Sequence, residues 1–108
     1  MSATQELNFT FVACADVRGI WQALAMPTDM WGRTADRNMA RAEAFSREFT
    51  AHCELLGRHP DLGVARDELH HGVRSSPFQK YVIYYRTRAG RLEILRVLRA
   101  SWQFAFPA

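Results

Sequence analysis

The sequence predicts an α+β protein in which a hairpin of two helices packs on one face of a small, mostly antiparallel sheet. Three observations support this prediction. An alternating apolar segment lies at Leu7–Ala13, two helical patterns follow it, and a β-hairpin occupies Pro77–Val97. Helices and strands therefore fall into separate blocks of the chain, in the order β-α-α-β-β-β, which is typical of α+β folds.

Length and composition favour a single domain over residues 1–108. Just under half of the residues are apolar (48%), which is enough for one core without metal or disulfide support. Cys14 and Cys53 lack a CxxC spacing and are expected to be reduced thiols. The N-terminal segment lacks the basic start and apolar block of a signal peptide, so we expect a cytoplasmic protein.

The first strand and the first helix follow each other closely. Residues Leu7–Ala13 alternate apolar and polar side chains, the period of a half-buried strand. Asp16 is then predicted to cap a helix, and Pro27 to end it. The apolar positions of this helix follow a helical spacing: Val17, Ile20, Trp21 and Leu24.

A longer second helix is predicted after a linker of about eight residues. Thr34 or Asp36 is expected to open it, and Gly57 and Pro60 to close it. One apolar stripe runs along this helix: Ala42, Phe45, Phe49, Cys53 and Leu56. Two helices this close in sequence should pack together on the sheet.

The segment between the second helix and the hairpin is predicted from its turn residues. His59–Gly63 contains Pro-Asp and Gly and is expected to form a turn. Val64–Leu69 is predicted to be a short strand, and Gly72–Pro77 a loop.

The hairpin has two apolar arms, Tyr81–Tyr85 and Leu92–Leu98, joined by a turn at Ala89–Gly90. Strict alternation divides the second arm into one face with Leu92, Ile94 and Leu98 and another with Leu95 and Val97. Because neither face is polar, both need cover, and two helices can cover only one of them. The second face is left for the C-terminal tail or for a partner.

The basic residues are almost all arginines. The net charge is +3, and Lys80 is the single lysine among fourteen basic residues. Five arginines lie in or just after the hairpin: Arg86, Arg88, Arg91, Arg96 and Arg99. Guanidinium groups make planar, bidentate contacts with carboxylates and phosphates. The cluster is therefore either a solvated face or a surface that recognises an anionic partner.

Five short motifs resemble those of one known family. They are Pro60–Gly63 (PDLG), Arg66–Leu69 (RDEL), Gly72–Ser75 (GVRS), Tyr81–Arg86 (YVIYYR) and Glu93–Leu98 (EILRVL). As an ordered set they resemble the ParE branch of the RelE/ParE toxin superfamily. The resemblance covers about residues 7–99 and leaves residues 100–108 as an aromatic tail.

The resemblance implies the toxin of a type II toxin–antitoxin pair. Such a toxin is neutralised by a small cognate antitoxin that wraps an extended or helical segment over its surface. ParE-type toxins act on DNA gyrase by protein–protein contact, so the resemblance implies no catalytic residues and no cofactor. A toxin–antitoxin hetero-oligomer is expected.

Two other functions remain open. Relatives in the same superfamily cleave mRNA on the ribosome, using Lys, Arg, Glu, His or Tyr side chains. This chain has Arg99 where most ParE sequences have histidine, and an arginine cannot serve as acid or base at neutral pH. Should it act as a nuclease, Arg74, His70 and Tyr84 are the candidate residues. The third possibility is a non-toxic binding module that retains the toxin fold.

Binding candidates are the arginines around the hairpin and the aromatic tail. We expect Arg74, Arg86 and Arg99 to contact antitoxin carboxylates or the target. Arg96 is instead expected to pair within the fold, with Glu93 or Glu68. Trp102 and Phe104 of the tail are also expected to contact a partner. The alternative is that Trp102, Phe104 and Phe106 fold back and close the second face of the sheet within the chain.

No metal site is predicted. His70 and His71 are adjacent, so on a strand their side chains would point to opposite faces and could not chelate one ion. The same argument applies on a helix to His52 beside Cys53.

Overall fold

Two helices pack on one face of a five-stranded sheet in the computed structural model of the protein, which describes residues 4–26 and 35–101. In chain order the elements are β1 (Glu6–Phe9), α1 (Phe11–Ala25), α2 (Ala35–Arg58), β2 (Val64–Ala65), β3 (Arg74–Phe78), β4 (Tyr81–Arg88) and β5 (Arg91–Arg99). The strand order is β1-β5-β4-β3-β2, in which β1 runs parallel to β5 and every other pair is antiparallel. The predicted fold class is confirmed.

The first helix begins earlier than predicted. Strand β1 ends at Phe9, and Thr10 caps α1 by accepting a hydrogen bond from the backbone N–H of Ala13 at 3.0 Å. The predictions of a strand to Ala13 and of a cap at Asp16 were therefore wrong. Alternation misled because Phe11, which continues the apolar period of β1, is 88% exposed in the first turn of the helix.

A strand was missed between the second helix and the hairpin. The predicted loop Gly72–Pro77 contains most of β3, whereas the predicted strand Val64–Leu69 shortens to the two residues of β2. The prediction failed because small polar residues have little strand preference. In the structure all five residues of β3 pair with Tyr81–Tyr85 of β4, and Ser75 and Ser76 are buried. Pro77 lies beyond the part of β3 that β2 covers, an edge position that tolerates proline.

A β-bulge in β5 changes which side chains face the helices. Tyr84 pairs with Arg96, but the next residue of β4, Tyr85, pairs with Ile94, so Leu95 is the extra residue. The bulge shifts the alternation by one position. Val97 therefore joins Ile94 in the core beneath the helices, and the prediction that it lies on the face opposite to Ile94 was wrong.

The core lies between the helices and the sheet. All five residues of the predicted stripe on α2 are buried, as expected. Val17, Ile20 and Leu24 of α1 are partly buried against the same core. Four aromatic rings from α2 and the strands pack with centroids 5.7 to 5.8 Å apart: Phe45, Phe49, Phe78 and Tyr81.

Candidate binding surface

An apolar cleft lies between α1, α2 and β1, and we call it the helix cleft. It has a volume of about 470 Å³. Leu7, Trp21 and Phe49 supply apolar surface to it. Two exposed polar residues, Arg18 and Thr50, also line it. A cleft of this character accommodates a row of apolar side chains from another chain, with few polar groups to orient a small polar ligand.

Both cysteines line the helix cleft, and they differ in environment. Cys14 is exposed, whereas Cys53 is buried. Burial raises the pKa of the Cys53 thiol to about 12, and the neighbouring Glu54 carboxylate adds to the effect. The Cys53 thiol therefore stays protonated at neutral pH and is a packing group, not a nucleophile.

A second cleft, the edge cleft, lies between α1 and the end of β5. It has a volume of about 370 Å³. Its α1 side carries the small residues Ala15, Gly19 and Ala23. Its strand side includes Tyr81 and Val97. This cleft was not predicted from the sequence, although small residues at every fourth position of a helix indicate close packing along that face.

Arg99 borders the edge cleft at the end of β5. It pairs across the hairpin with Tyr81 and is exposed. Within residues 4–26 and 35–101, no carboxylate lies within 4.0 Å of its guanidinium group, in contrast to five other arginines of the fold. Arg99 is thus an exposed positive charge at the rim of the edge cleft.

Arg86 and Arg74, the other two predicted arginines, have partners inside the fold. Arg86 Nε donates to Glu93 Oε1 at 2.8 Å across the hairpin. Arg74 donates to the carbonyl oxygen of Gly63 at 2.8 Å, and its Nη2 lies 3.6 Å from the Asp61 carboxylate. Their contact with a partner stays a prediction, and it would compete with these bonds.

Arg96 is held by an unexpected residue. Its guanidinium makes two hydrogen bonds to Asp16 of α1, at 2.8 and 3.1 Å. These hydrogen bonds raise the pKa of Arg96, against the opposing effect of burial. Arg96 therefore pairs within the fold, as predicted, but the expected partners were wrong. Glu93 pairs with Arg86, and Glu68 pairs with Arg66.

The three candidate nuclease residues do not converge. Arg74 is the direct cross-strand neighbour of Tyr85, so it shares that residue's face of the sheet, whereas Tyr84 points to the opposite face. His70 lies in the exposed turn between β2 and β3. Groups on opposite faces of a sheet cannot act together on one phosphate.

One histidine has a defined environment that the sequence did not indicate. His52 of α2 shares a 2.8 Å hydrogen bond with the hydroxyl of Ser76 on β3, and its ring packs 5.4 Å from that of Phe78. Burial lowers the pKa of His52 below its ordinary value. The pairing is a contact between helix and sheet, and only the tertiary structure brings the two residues together.

Neither metal ligands nor a membrane span emerge from the described part of the chain. Across residues 4–26 and 35–101, no three His, Cys, Asp or Glu side chains are grouped so that they could hold an ion. The helices of the same ranges are too short or too polar to cross a bilayer. Trp102 and Phe104 lie outside the described residues.

Fold and surface together define the class: a small α+β protein with two partly apolar clefts suited to binding. A family model described as the ParE toxin of the type II toxin–antitoxin system parDE matches residues 21–104. A curated relative, Toxin ParE1 of Caulobacter vibrioides, is 32% identical over 74 residues, which are 68% of this chain and 76% of the relative. The chain belongs to the ParE toxin family of type II toxin–antitoxin systems.

A solved structure supports the fold independently. The structure titled "Chromosomal ParDE TA system from P. aeruginosa" superimposes with a TM-score of 0.67 at 19% sequence identity. The match covers 91% of this chain and 98% of that one. The shared architecture thus extends over nearly the whole of both chains.

Proposed function

We propose that this chain inhibits DNA gyrase by protein–protein contact, without catalysis or a cofactor, and that a small cognate antitoxin neutralises it. Membership of the ParE toxin family supports the proposal. The observation that carries it is the apolar helix cleft, together with an exposed arginine, Arg99, that has no carboxylate within 4.0 Å among residues 4–26 and 35–101. Both are features of a surface that recognises another protein.

The antitoxin is proposed to lay an apolar face of a helical or extended segment in the helix cleft. Val17, Trp21 and Phe49 offer the apolar contacts there. Arg18 adds positive charge at the cleft, which favours a segment that carries acidic residues beside its apolar ones. The co-encoded antitoxin is therefore expected to be small and acidic.

Paired threonine variants test the antitoxin site. Thr50→Arg introduces a long charged side chain at the helix cleft, whereas Thr87→Arg adds the same charge at an exposed position of the hairpin. We expect the first to weaken antitoxin binding at least tenfold in a titration, on the order of one well-placed interface residue, and the second to leave it unchanged. Equal binding by both variants would contradict the site.

Arg99 is proposed to contact the target. Arg99→Glu should reduce growth arrest while the protein stays soluble and folded, because its guanidinium holds no carboxylate within the described chain. The matched control is Arg88→Glu, another exposed arginine, at the opposite end of the hairpin. Loss of solubility in Arg99→Glu would indicate a structural role instead.

Gyrase inhibition is tested directly by two assays run side by side. The purified toxin should block plasmid supercoiling by gyrase and leave ribosome-bound mRNA intact. Cleavage of mRNA with normal supercoiling would contradict the proposal and favour an endonuclease of the RelE type. Absence of any growth arrest on expression would favour a non-toxic binding module.

A further inference from the structure

The edge cleft is an apolar opening at the end of the core. Ile20 and Tyr81 are only half-buried there, and Val97 lies at its base. A Cβ atom placed on Gly19 would meet no atom of residues 4–26 or 35–101 within 4 Å. The described chain thus leaves apolar surface exposed at a position where a few more side chains could be buried.

The same cleft follows a strand edge that has only partial cover. Pairing with β1 ends at Ile94, after which the hydroxyl of Thr10 donates to the carbonyl oxygen of Leu95 and the Asp16 carboxylate accepts from the N–H of Val97. No strand of the described ranges pairs with β5 on this side beyond Ile94. The end of β5 therefore opens into the edge cleft.

The chain leaves β5 at the rim of this cleft. Arg99 lines it, and the N–H of Ala100 is held by the carbonyl oxygen of Lys80 at 2.8 Å. Residues 102–108 follow, with the sequence WQFAFPA. Seven residues can span up to about 23 Å when extended. Because Arg99, only three residues before Trp102, already lines the cleft, the segment is long enough to reach all of it.

The composition of this segment suits an apolar site. It contains three aromatic residues and no charged side chain. The aromatic residues alternate at Trp102, Phe104 and Phe106, so an extended segment presents them on one face. Left in water, such a row would expose three large aromatic side chains.

We propose that residues 102–108 fold back into the edge cleft and place their aromatic face against Ile20, Tyr81 and the small residues of α1. The occupant is thus a segment of the same chain, and the helix cleft remains for the antitoxin. This arrangement buries the apolar surface of the cleft against the aromatic side chains of residues 102–108. It does not depend on the identity of the target or of the antitoxin.

A cross-link tests the location in the full-length chain. In a Cys14→Ser background that keeps the buried Cys53, Gly19→Cys is combined with Phe104→Cys. The matched pair combines Thr50→Cys, at the helix cleft, with the same Phe104→Cys. A disulfide needs Cβ atoms about 4 Å apart, so only a tail in the edge cleft should form an intrachain bond with position 19 under mild oxidation.

The outcomes separate the possible occupants. An intrachain disulfide with position 19, and none with position 50, is expected by mass spectrometry of the monomer. A bond with position 50 would place the tail in the helix cleft and overturn the proposal. Bonds to position 19 only between two chains would show that a second copy fills the cleft, and absence of any bond would equally overturn the proposal.

Proteolysis of the tail gives an independent measurement. Chymotrypsin cleaves after aromatic residues, and it should attack the native tail slowly because a docked tail is protected. Ala23→Glu, which adds a charge in the cleft, should speed cleavage at least about tenfold, whereas Ala51→Glu on the exposed side of α2 should not. Equal rates for native and Ala23→Glu chains would overturn the proposal.

Discussion

Asp16 of α1 holds Arg96 of β5 across 80 residues of sequence. One carboxylate oxygen accepts from Arg96 Nε at 2.8 Å and from the backbone N–H of Val97 at 3.0 Å, and the other accepts from Arg96 Nη2 at 3.1 Å. The bulge at Leu95 shifts the register of the β4–β5 ladder just before Arg96. The single carboxylate therefore attaches the helix to the strand edge and satisfies the N–H that faces away from β4.

Asp16→Ala should destabilise the protein. It removes the acceptor of two hydrogen bonds from the partly buried Arg96 guanidinium and of one from the Val97 N–H, which should lower the free energy of unfolding by about 2–4 kcal/mol in urea denaturation. Asp16→Asn keeps one oxygen acceptor and should lose less. Glu43→Ala, the removal of an exposed carboxylate on α2, is the control and should change little.

Tyr85→Phe should cost stability out of proportion to the single atom removed. The buried hydroxyl donates to the carbonyl oxygen of Pro60 and accepts from the N–H of Gly63, each at 2.8 Å. Without it both backbone groups lose their partner, a cost of about 1–3 kcal/mol measured by denaturation. Tyr81→Phe is the comparison, and a larger loss there than at position 85 would contradict the assignment.

His52 should make the protein less stable in mild acid. Because burial lowers its pKa in the folded state below 6.5, the unfolded chain binds the proton more readily. The stability that neutral His52 contributes is fully present above pH 6.5. It is lost as the pH falls from there through the folded-state pKa of His52. His52→Gln, which keeps a hydrogen-bonding group near Ser76, should show a smaller fall in melting temperature on the acid side.

The control for this pH dependence is a histidine on the surface. His71→Gln changes an exposed residue of the β2–β3 turn and should retain the acid-side fall of the native protein. A fall that persists unchanged in His52→Gln, or that disappears in His71→Gln, would show that another group is responsible.

The hairpin turn offers a stabilising substitution. Ala89 has φ +52° and Gly90 has φ +76°, so both turn residues lie in the left-handed region. Positive φ costs alanine conformational energy, and asparagine adopts this region more readily. Ala89→Asn should raise the free energy of unfolding by about 0.5–1 kcal/mol, and Gly90→Ala should lower it by a similar amount. A lower melting temperature for Ala89→Asn, or a higher one for Gly90→Ala, would contradict this turn geometry.

Local pattern was enough to determine much of the fold. Helical spacing predicted the buried stripe of α2, and β-branched and aromatic runs predicted both arms of the hairpin. These signals work because each amphipathic element must hide one face from water, whatever its neighbour is. The ordered motifs over residues 60–98 also indicated the ParE toxin family, which the comparisons confirmed.

Only the tertiary structure decided the contacts that form the binding surface. Nothing near Asp16 in the sequence shows that it will hold Arg96, and no alternation reveals the extra residue at Leu95 that moves Val97 into the core. The strand β3 likewise exists because β4 offers it partners, since its own residues carry little strand preference. Local periodicity determines which side chains avoid water, but the partner of a charge or of a strand edge depends on chain segments far apart in sequence.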